Sequence, residues 1–386
     1  MTAAHERLPI EQVTDLIKVG EPLPFRVLDS LERLLLNEGQ VIANDRQMEM
    51  LIERGAWVDR TLVEERRREG AGKTGGKVLV TRVVTLFDRW ERLVWELDAV
   101  LRRTLKGGGT CADEWQRLVD EVTGLVDRDP DIALFAAVRQ EDRRFALYPL
   151  SHAVHAGVVA LLAARQAGWD AERQHSLLGA SLSMNVAMLE LQALMAEQDT
   201  PPTNRQLETI RAHTVNGVNL LQAAGITDTV WLRAVAEHHE HADGSGYPRG
   251  LVEVSEEARV LRMADVYMAK ITPRAKRPPL PPMMASRQLF QQEPGSALAM
   301  SVIRAIGVHP PGALVQLKSG EVAVVKRRGS GPAPKVFTLS DARGRPSARS
   351  AELDSAQAEH GISGPCADPA AFSRIPGERV YGIVLA

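Results

Sequence analysis

The sequence predicts a mainly α-helical protein, in which a helical bundle is flanked by two smaller modules. Between about residues 80 and 306, apolar residues recur three and four positions apart, as on one face of a helix. Short apolar runs alternate with turns before that region, and a strand, turn and strand pattern follows it. We therefore predict a small N-terminal α+β regulatory module over 1–62, a linker over 63–78, a helical domain over 79–310 and a small C-terminal antiparallel β module over 311–386.

The N-terminal module is predicted from three short apolar runs. Residues 25–29, 34–36 and 40–42 are typical of short strands, with a tight turn at 37–39 between the last two. The stretch that follows the module, residues 64–77, is charged and rich in glycine. Such a composition indicates an exposed linker.

The helical domain begins with an amphipathic helix, whose apolar stripe consists of Val84, Leu86, Trp90, Leu93, Val94 and Leu97. The same periodicity predicts further helices around 112–126, 130–140, 151–167, 172–197, 204–223, 228–240 and 255–271. A succession of helices with short breaks favours an all-α bundle over a parallel sheet.

The C-terminal module is predicted from a change of pattern after the His309-Pro310-Pro311-Gly312 break. Residues 313–317 and 322–325 are typical of two strands joined by a turn, and 335–339 of a partner strand. Residues 341–378 are rich in proline, glycine, serine and alanine, so we predict that they form a loop.

Composition and charge narrow the classes of function. The formal net charge of -2 argues against a general polyanion-binding surface, so nucleic acid is not an expected partner. The two cysteines, Cys111 and Cys366, supply neither a disulfide framework nor a cysteine zinc site. The N-terminus lacks the layout of a signal peptide, and there is no apolar run of about eighteen residues. We therefore expect a cytoplasmic protein without a membrane span.

Several residues suited to metal binding fall within one helical stretch: His213, His238, His239 and Asp265. Imidazole and carboxylate are ligands for zinc, iron and manganese, and side chains on facing helices of a bundle converge in its core. Adjacent histidines on a helix project about 100° apart, so both reach one centre only near a helix end or over two metals. The glycine-rich run 243–248 supplies such an end. A single histidine is more often an ordinary polar residue, and only the combination favours a site.

This stretch resembles a known signature. Residues 238–251, His-His-Glu-His-Ala-Asp-Gly-Ser-Gly-Tyr-Pro-Arg-Gly-Leu, resemble the signature of HD-GYP domains. Residues 213–217 are similar to the family's upstream His-x-x-x-Gly helix, and 258–267 to its downstream Asp helix. The resemblance covers roughly residues 148–310, in the family's order and spacing. It implies an HD-GYP-like helical bundle in a bacterial signal-transduction protein.

The resemblance also implies roles for individual residues. It implies metal-binding roles for His152, His213, His238, His239 and Asp265. It implies contacts with the nucleotide or with a partner for Gly246, Tyr247, Pro248, Arg274 and Arg277. Active members of the family are metal-dependent phosphodiesterases that open cyclic di-GMP, with two or three metals activating a hydroxide. Their Gly-Tyr-Pro loop is implied in contacts with diguanylate-cyclase-type domains, and the resemblance leaves an oligomer open.

The sequence departs from the family where its His-Asp pair and nearby lysine should stand. Met184 replaces the histidine, Asn185 the aspartate and Met188 the lysine. A thioether is a poor ligand for hard divalent ions, and a neutral amide cannot replace the charge of a bridging carboxylate. Met188 has no ammonium group to polarise a phosphate. Tyr148 further replaces a carboxylate that some members place one turn before the early histidine.

These departures shape the functional prediction. We assign no catalytic residue and expect at most one weakly held divalent metal, iron or manganese. The predicted function is cyclic di-GMP-related signalling through a degenerate site, by ligand binding or protein interaction. An active phosphodiesterase with a rearranged site, or a phosphohydrolase acting on another phosphoester, are the alternatives. For Tyr247, stacking on a guanine and anchoring of the loop are equally weighted, while Asp243 is expected to shape the glycine-rich turn.

Overall fold

A computed structural model of the chain describes residues 7–28, 34–42, 48, 51–52, 56–71, 84–139, 147–275, 277–329, 333–347, 350–372 and 375–385. Contacts between residues divide the chain into two compact units, Met1–Val84 and Thr85–Ala386. The fold is mainly helical with small antiparallel sheets near both termini, which confirms the predicted fold class. The finer domain bounds, including 79–310 and 311–386, stay predictions.

The N-terminal unit contains a small antiparallel sheet whose strands β1 to β4 pair in the order β1-β4-β2-β3. The strands are β1 Arg7–Pro9, β2 Val27–Leu28, β3 Leu34–Leu36 and β4 Trp57–Asp59. Ile10, Phe25 and Val58 are fully buried in its core. The predicted strand at 40–42 is reduced to one bridge, between Pro22 and Val41.

Helix α1, Arg60–Ala71, differs from the predicted linker over 63–78. Its glutamates and arginines are good helix formers, and Arg66 and Arg67 reach back to Glu38 and Asp15 of the same unit. Ion pairs to the same unit stabilise a helix in this charged segment, whose composition alone indicates a loop. Residues 72–78 of the predicted linker lie outside the described residues.

The second unit is a bundle of helices, several of which begin at side-chain caps. Thr85 and Asp88 form a capping box, Asp129 caps the next helix but one, and Ser255 caps the helix that carries Asp265. The helices are α2 Leu86–Lys106, α3 Ala112–Arg128, α4 Pro130–Val138, α5 Tyr148–Gln166, α6 Ala171–Ser183, α7 Leu189–Glu197, α8 Asn204–Ala223, α9 Thr229–Glu237, α10 Glu256–Ile271, α11 Pro282–Gln292 and α12 Ala297–Ile306.

Helix α5 lies at the centre of the bundle, against α4, α6, α10 and α12. It is buried over most of its circumference, as a helix that is apolar on all sides should be. Two glycines permit close packing around it. A side chain at Gly157 would meet Leu178, and one at Gly179 would overlap the ring of Trp231. Helix α6 therefore fits closely between α5 and α9.

The helix predicted over 172–197 is interrupted, and this prediction was wrong in its middle. Helix α6 ends at Ser183, a 3-10 turn covers Val186–Met188, and α7 begins at Leu189. The Ser183 hydroxyl bonds back to the Gly179 carbonyl, a contact that bends helices. Among the described residues, Ala171–Glu197 is the one stretch long and apolar enough to cross a membrane by length and composition only, and most of it is buried within the unit.

The C-terminal sheet confirms the predicted β module and extends it. Strands β5 Leu314–Leu317, β6 Val322–Arg327, β7 Lys335–Thr338, β8 Glu352–Asp354 and β9 Ile362–Pro365 pair antiparallel in the order β8-β7-β6-β5-β9. The loop predicted over 341–378 was therefore wrong for β8 and β9, because edge strands of three and four residues are too short to show a clear period. Helix α13, Gly377–Tyr381, follows the sheet.

The C-terminal sheet packs against the start of the bundle in the same unit. The rings of Phe87, Phe135 and Tyr381 meet in a cluster with centroids 5.2 to 6.0 Å apart. Arg327 on β6 forms an ion pair with Asp129 at 2.8 Å. The sheet and helices α2 and α4 therefore share one apolar contact that is bordered by charge pairs.

Candidate metal centre

Three of the predicted metal residues lie together. His213 is in the middle of α8, and His238 and His239 follow the last residue of α9 directly. One ligand nitrogen from each of the three lies within 4.8 Å of the others. The helix end explains how adjacent histidines reach one point, since the turn at 238–239 releases them from helical spacing. We call His213, His238 and His239 the three-histidine cluster.

Hydrogen bonds fix the proton positions on two of these rings. Nδ1 of His213 contacts the Ile210 carbonyl, and Nδ1 of His238 contacts the Val235 carbonyl at 2.8 Å. A carbonyl only accepts, so both Nδ1 atoms carry hydrogen and both Nε2 atoms carry a lone pair. The two Nε2 atoms are 3.3 Å apart. Two facing lone pairs repel each other, and a bound cation would relieve that repulsion.

Burial keeps the cluster uncharged. It lowers the pKa of His213 to about 4, with a further decrease from the neighbouring His238. It also lowers the pKa of His238, and it lowers that of His239 well below its ordinary value. Neutral imidazole is the form that binds metal. The donor set therefore fits one divalent ion of the zinc, iron or manganese type.

The other two predicted metal residues contact each other. His152 Nε2 lies 2.6 Å from Asp265 Oδ1, and both side chains are largely buried. The hydrogen bond and charge of His152 outweigh the effect of burial and hold the pKa of Asp265 below its usual range. The negative charge of Asp265 partly opposes the lowering of the pKa values of the cluster histidines, so it favours a cation there. We call this contact the His152–Asp265 pair.

Tyr148 and Arg274 cover the outer side of this pair. The Tyr148 ring stacks on His152 with centroids 5.1 Å apart, and the Arg274 guanidinium lies 4.8 Å from the Tyr148 centroid. Arg274 also donates a hydrogen bond to the Tyr148 hydroxyl. The position where some family members carry a carboxylate is therefore occupied by a buried phenol held by an arginine.

Met184, Asn185 and Met188 occupy the break between α6 and α7. Met184 is fully buried, Asn185 nearly so, and Met188 is half-buried. This break packs against α8 beside Gly217, one turn beyond His213. The Asn185 Oδ1 atom is buried and has no hydrogen-bond partner among the described residues. A thioether and an amide do not fit a second, carboxylate-bridged ion, whereas the three-histidine cluster fits one.

The predicted ligand loop folds back over the cluster. Tyr247 stacks on His239 with centroids 4.6 Å apart and planes 19° apart. Gly246 lies so close to the backbone of residues 239–241 that a Cβ would come within 2.4 Å of a main-chain atom. The peptide bond between Tyr247 and Pro248 is cis, and Pro248 is exposed. Asp243 accepts the Ser245 amide at 2.9 Å, in keeping with a role in shaping the turn.

Two predicted ligand residues, Arg274 and Arg277, form a basic pair after α10. Their backbones exchange hydrogen bonds in a tight turn, and Arg277 donates to the Ala269 carbonyl. Burial and the charge of Arg274 lower the pKa of Arg277. Neither arginine forms an ion pair with a carboxylate in the part of the chain that the structure describes. Two adjacent cations without acidic partners favour an anionic ligand.

Sequence reasoning missed two buried glutamates on either side of the histidine pair. Glu240 is fully buried and accepts the amides of Arg249 and Leu251 at 2.7 and 2.9 Å. Glu237 accepts the Ser255 amide at 3.0 Å, at the start of α10. Their direct adjacency to His238 and His239 was the available signal, since a glutamate at a helix end beside a glycine-rich loop can accept loop amides.

Comparison with known proteins matches this site to a family. The HD domain family matches residues 139–294. A cyclic di-GMP phosphodiesterase of Pseudomonas aeruginosa, PA4108, is 28% identical over 212 residues, 54% of this chain and 50% of that protein. The cyclic di-GMP phosphodiesterase PdeB of Borreliella burgdorferi is 23% identical over 132 residues, 34% of this chain and 35% of that protein. The chain therefore spans about half or less of the length of these relatives.

A solved structure shows a weaker similarity. Bd1817, described as an HDG"Y"P protein from Bdellovibrio bacteriovorus, is 14% identical, and the match covers 78% of this chain and 97% of that one with a TM-score of 0.43. The family match contains the three-histidine cluster, the His152–Asp265 pair and the loop with Tyr247. Residues 139–294 thus match an HD domain, in keeping with the resemblance of this stretch to HD-GYP domains.

Proposed function

We propose that this chain binds a cyclic dinucleotide of the cyclic di-GMP type at its HD-GYP site and acts as a signalling module instead of a hydrolase. The observation that carries the proposal is the His152–Asp265 pair, in which two expected metal ligands bond directly to each other. Met184 and Asn185 stand where the resemblance expects the family's His-Asp pair, and a thioether and an amide offer little to a second cation. Hydrolysis by the two-metal scheme needs both ions.

A single ion at the three-histidine cluster is part of the proposal. His213, His238 and His239 would hold it, and iron or manganese suit the imidazole donors. When bound, such an ion supplies positive charge that neutralises a phosphate oxygen. Arg274 and Arg277 would bind the other side of the dinucleotide, because guanidinium groups bind phosphate in a bidentate manner. The charges required for a cyclic dinucleotide are therefore present without a hydrolytic pair.

An active phosphodiesterase with a rearranged site is the second candidate. The names of the two curated relatives and the retained three-histidine cluster favour it. Against it stands the replacement of a bridging carboxylate by Asn185, since an amide carries no charge to hold two cations together. The two candidates differ in a measurable product, the linear dinucleotide.

One experiment separates the two candidates. The purified full chain is incubated with cyclic di-GMP and either manganese or ferrous iron, and binding and linear-dinucleotide release are followed in parallel. We expect binding without turnover, and at least tenfold weaker binding for Arg274→Ala. Arg287→Ala, an exposed arginine on α11, is the matched control and should bind like the wild type. Metal-dependent release of linear dinucleotide that is lost in His239→Ala would establish the phosphodiesterase instead.

Partner binding through the Gly-Tyr-Pro loop is a separate part of the proposal. The loop exposes Pro248, Arg249 and Gly250, while Tyr247 is turned onto His239. A diguanylate-cyclase-type domain would therefore meet the loop's outer edge and not its tyrosine ring. Binding of such a domain to the wild type but not to a Pro248→Ala and Arg249→Ala double variant would support this contact. Equal binding by both would contradict it.

A further inference from the structure

His239 differs from its two neighbours in how its ring is held. The rings of His213 and His238 are each anchored through Nδ1 to a backbone carbonyl one turn earlier. Among the described residues, the His239 ring has no hydrogen bond of this kind. It lies beyond the last helical residue and packs against the rings of His213, His238 and Tyr247. Its orientation must therefore come from packing.

Tyr247 supplies that packing on one face. Its ring is nearly parallel to the His239 ring, and its amide donates to the His239 carbonyl at 3.1 Å. Both the backbone and the side chain of Tyr247 thus contact the same residue. The ring face that contacts His239 is not available to stack on a guanine base. This contact favours the anchoring role over the base-stacking role for Tyr247.

Glu240 holds the loop that carries Tyr247. Its carboxylate accepts the Arg249 and Leu251 amides, so residues 241–251 are closed into a loop over the end of α9. Gly246 packs directly on the Glu240 backbone, at a separation that excludes any side chain. Tyr247 lies between this close approach and the two hydrogen bonds. A fully buried carboxylate that accepts two amides has little freedom to move.

We infer that Glu240 and Tyr247 are positioning residues that hold the His239 ring in its orientation within the three-histidine cluster. Glu240 holds the loop closed by accepting the Arg249 and Leu251 amides, and Tyr247 stacks on the imidazole of His239. Its expected effect on metal binding rests on the proposed metal site. Groups that do not bind the metal but orient one of its ligands change metal affinity about 10- to 100-fold. Its structural part, the ring orientation, exists without a metal.

The first test uses the metal-free full chain. Histidine-selective NMR, with the signal of His239 assigned by His239→Ala, reports the ring current of Tyr247 on the imidazole. We expect Tyr247→Ala and Glu240→Gln to move this signal, while Tyr247→Phe, which keeps the ring, leaves it in place. Glu253→Gln, an exposed glutamate of the same connection, is the matched control. A His239 signal that stays in place in Tyr247→Ala would overturn the inference.

The second test measures cobalt binding, which reports coordination by its visible spectrum. Tyr247→Ala and Glu240→Gln should weaken cobalt affinity about tenfold or more and alter the spectrum. Tyr247→Phe and Glu253→Gln should stay within about twofold of the wild type, which separates lost positioning from general unfolding. If Tyr247→Ala binds cobalt like Glu253→Gln, the inference is wrong. If the wild type binds no cobalt, the proposed metal site fails, and the NMR result alone decides whether His239 is positioned as inferred.

Discussion

The two halves of the candidate metal centre, the three-histidine cluster and the His152–Asp265 pair, satisfy their polar groups in different ways. In the three-histidine cluster, two Nε2 lone pairs face each other at 3.3 Å with no donor between them. In the His152–Asp265 pair, donor and acceptor meet directly at 2.6 Å. In the first arrangement two acceptors face each other, whereas in the second the two facing atoms satisfy each other, although Nδ1 of His152 is buried without a partner among the described residues. The capacity to bind metal therefore cannot be inferred from the presence of ligand residues alone, because it depends on whether those residues already satisfy one another.

The largest expected effect is loss of metal from the cluster. His238→Ala removes one of three donors that no other described side chain replaces, so the affinity for manganese or iron should fall at least about 100-fold. His152→Gln should keep the wild-type metal content, because His152 bonds to Asp265 instead of the ion. Metal analysis after dialysis measures both.

His360→Ala, a histidine of the C-terminal sheet region, is the control for general effects of removing an imidazole. It should retain the wild-type metal content. Loss of metal in His152→Gln that equals the loss in His238→Ala would show that the two halves act as one centre, and it would remove the distinction between them.

The next effect concerns stability. His152→Ala leaves the buried Asp265 carboxylate without its partner, which should lower the free energy of unfolding by about 3 kcal/mol. Adding Asp265→Asn to this variant removes the unpaired charge, so the double variant should be more stable than His152→Ala alone. Urea unfolding with a chelator present measures both. A loss below about 1 kcal/mol for His152→Ala would mean that the pair is a weak, solvated contact.

In the metal-free protein, we expect acid to lower the folding stability through the three-histidine cluster and not through Asp265. Unfolded His213 binds a proton below pH 6.5, whereas burial keeps the folded residue neutral until about pH 4. The unfolded state therefore gains protons over this interval, and stability falls as the pH falls from 6.5 to 4. Asp265 does not contribute to this decline, since its pKa is held below the usual range.

Urea unfolding at pH 7, 6 and 5 with a chelator tests this difference. The wild type should lose stability steadily across the series, and His213→Gln should lose less because it has no imidazole to titrate at that position. Superimposable pH profiles for the two proteins would contradict the prediction.

Much of the fold could be predicted because its signals are local. Periodic apolar residues predicted the helices, and the signature at 238–251 predicted a domain of the kind that matches residues 139–294. The break after Ser183 could not be predicted, because Met184 and Val186 continue the apolar pattern while the chain turns. The edge strands β8 and β9 were missed for the opposite reason, because they pair with neighbours distant in sequence and have no period of their own.

For the site, residue identities were predictable but their contacts were not. The sequence indicated His152 and Asp265 as metal ligands, yet they are 113 positions apart, and only the fold shows that they bond to each other. Glu240 was missed although it adjoins His238 and His239, because its burial depends on the loop that folds back over it. Whether a polar residue points to a ligand or to its own backbone is decided by tertiary packing.

The smallest expected effect comes from restoring charge at the break between α6 and α7. Asn185→Asp adds a carboxylate to a buried position whose amide oxygen has no hydrogen-bond partner among the described residues. A negative charge beside the cluster should strengthen binding of the single ion, by less than about tenfold because burial of the new charge opposes the gain. The ion count should stay at one, since Asp265 remains bonded to His152.

Metal titration measures the affinity, and Asn185→Leu, which adds no charge, is the control. Two ions per chain in Asn185→Asp would show that the pair opens to accept metal, and that a single residue, not the contact between His152 and Asp265, limits the site.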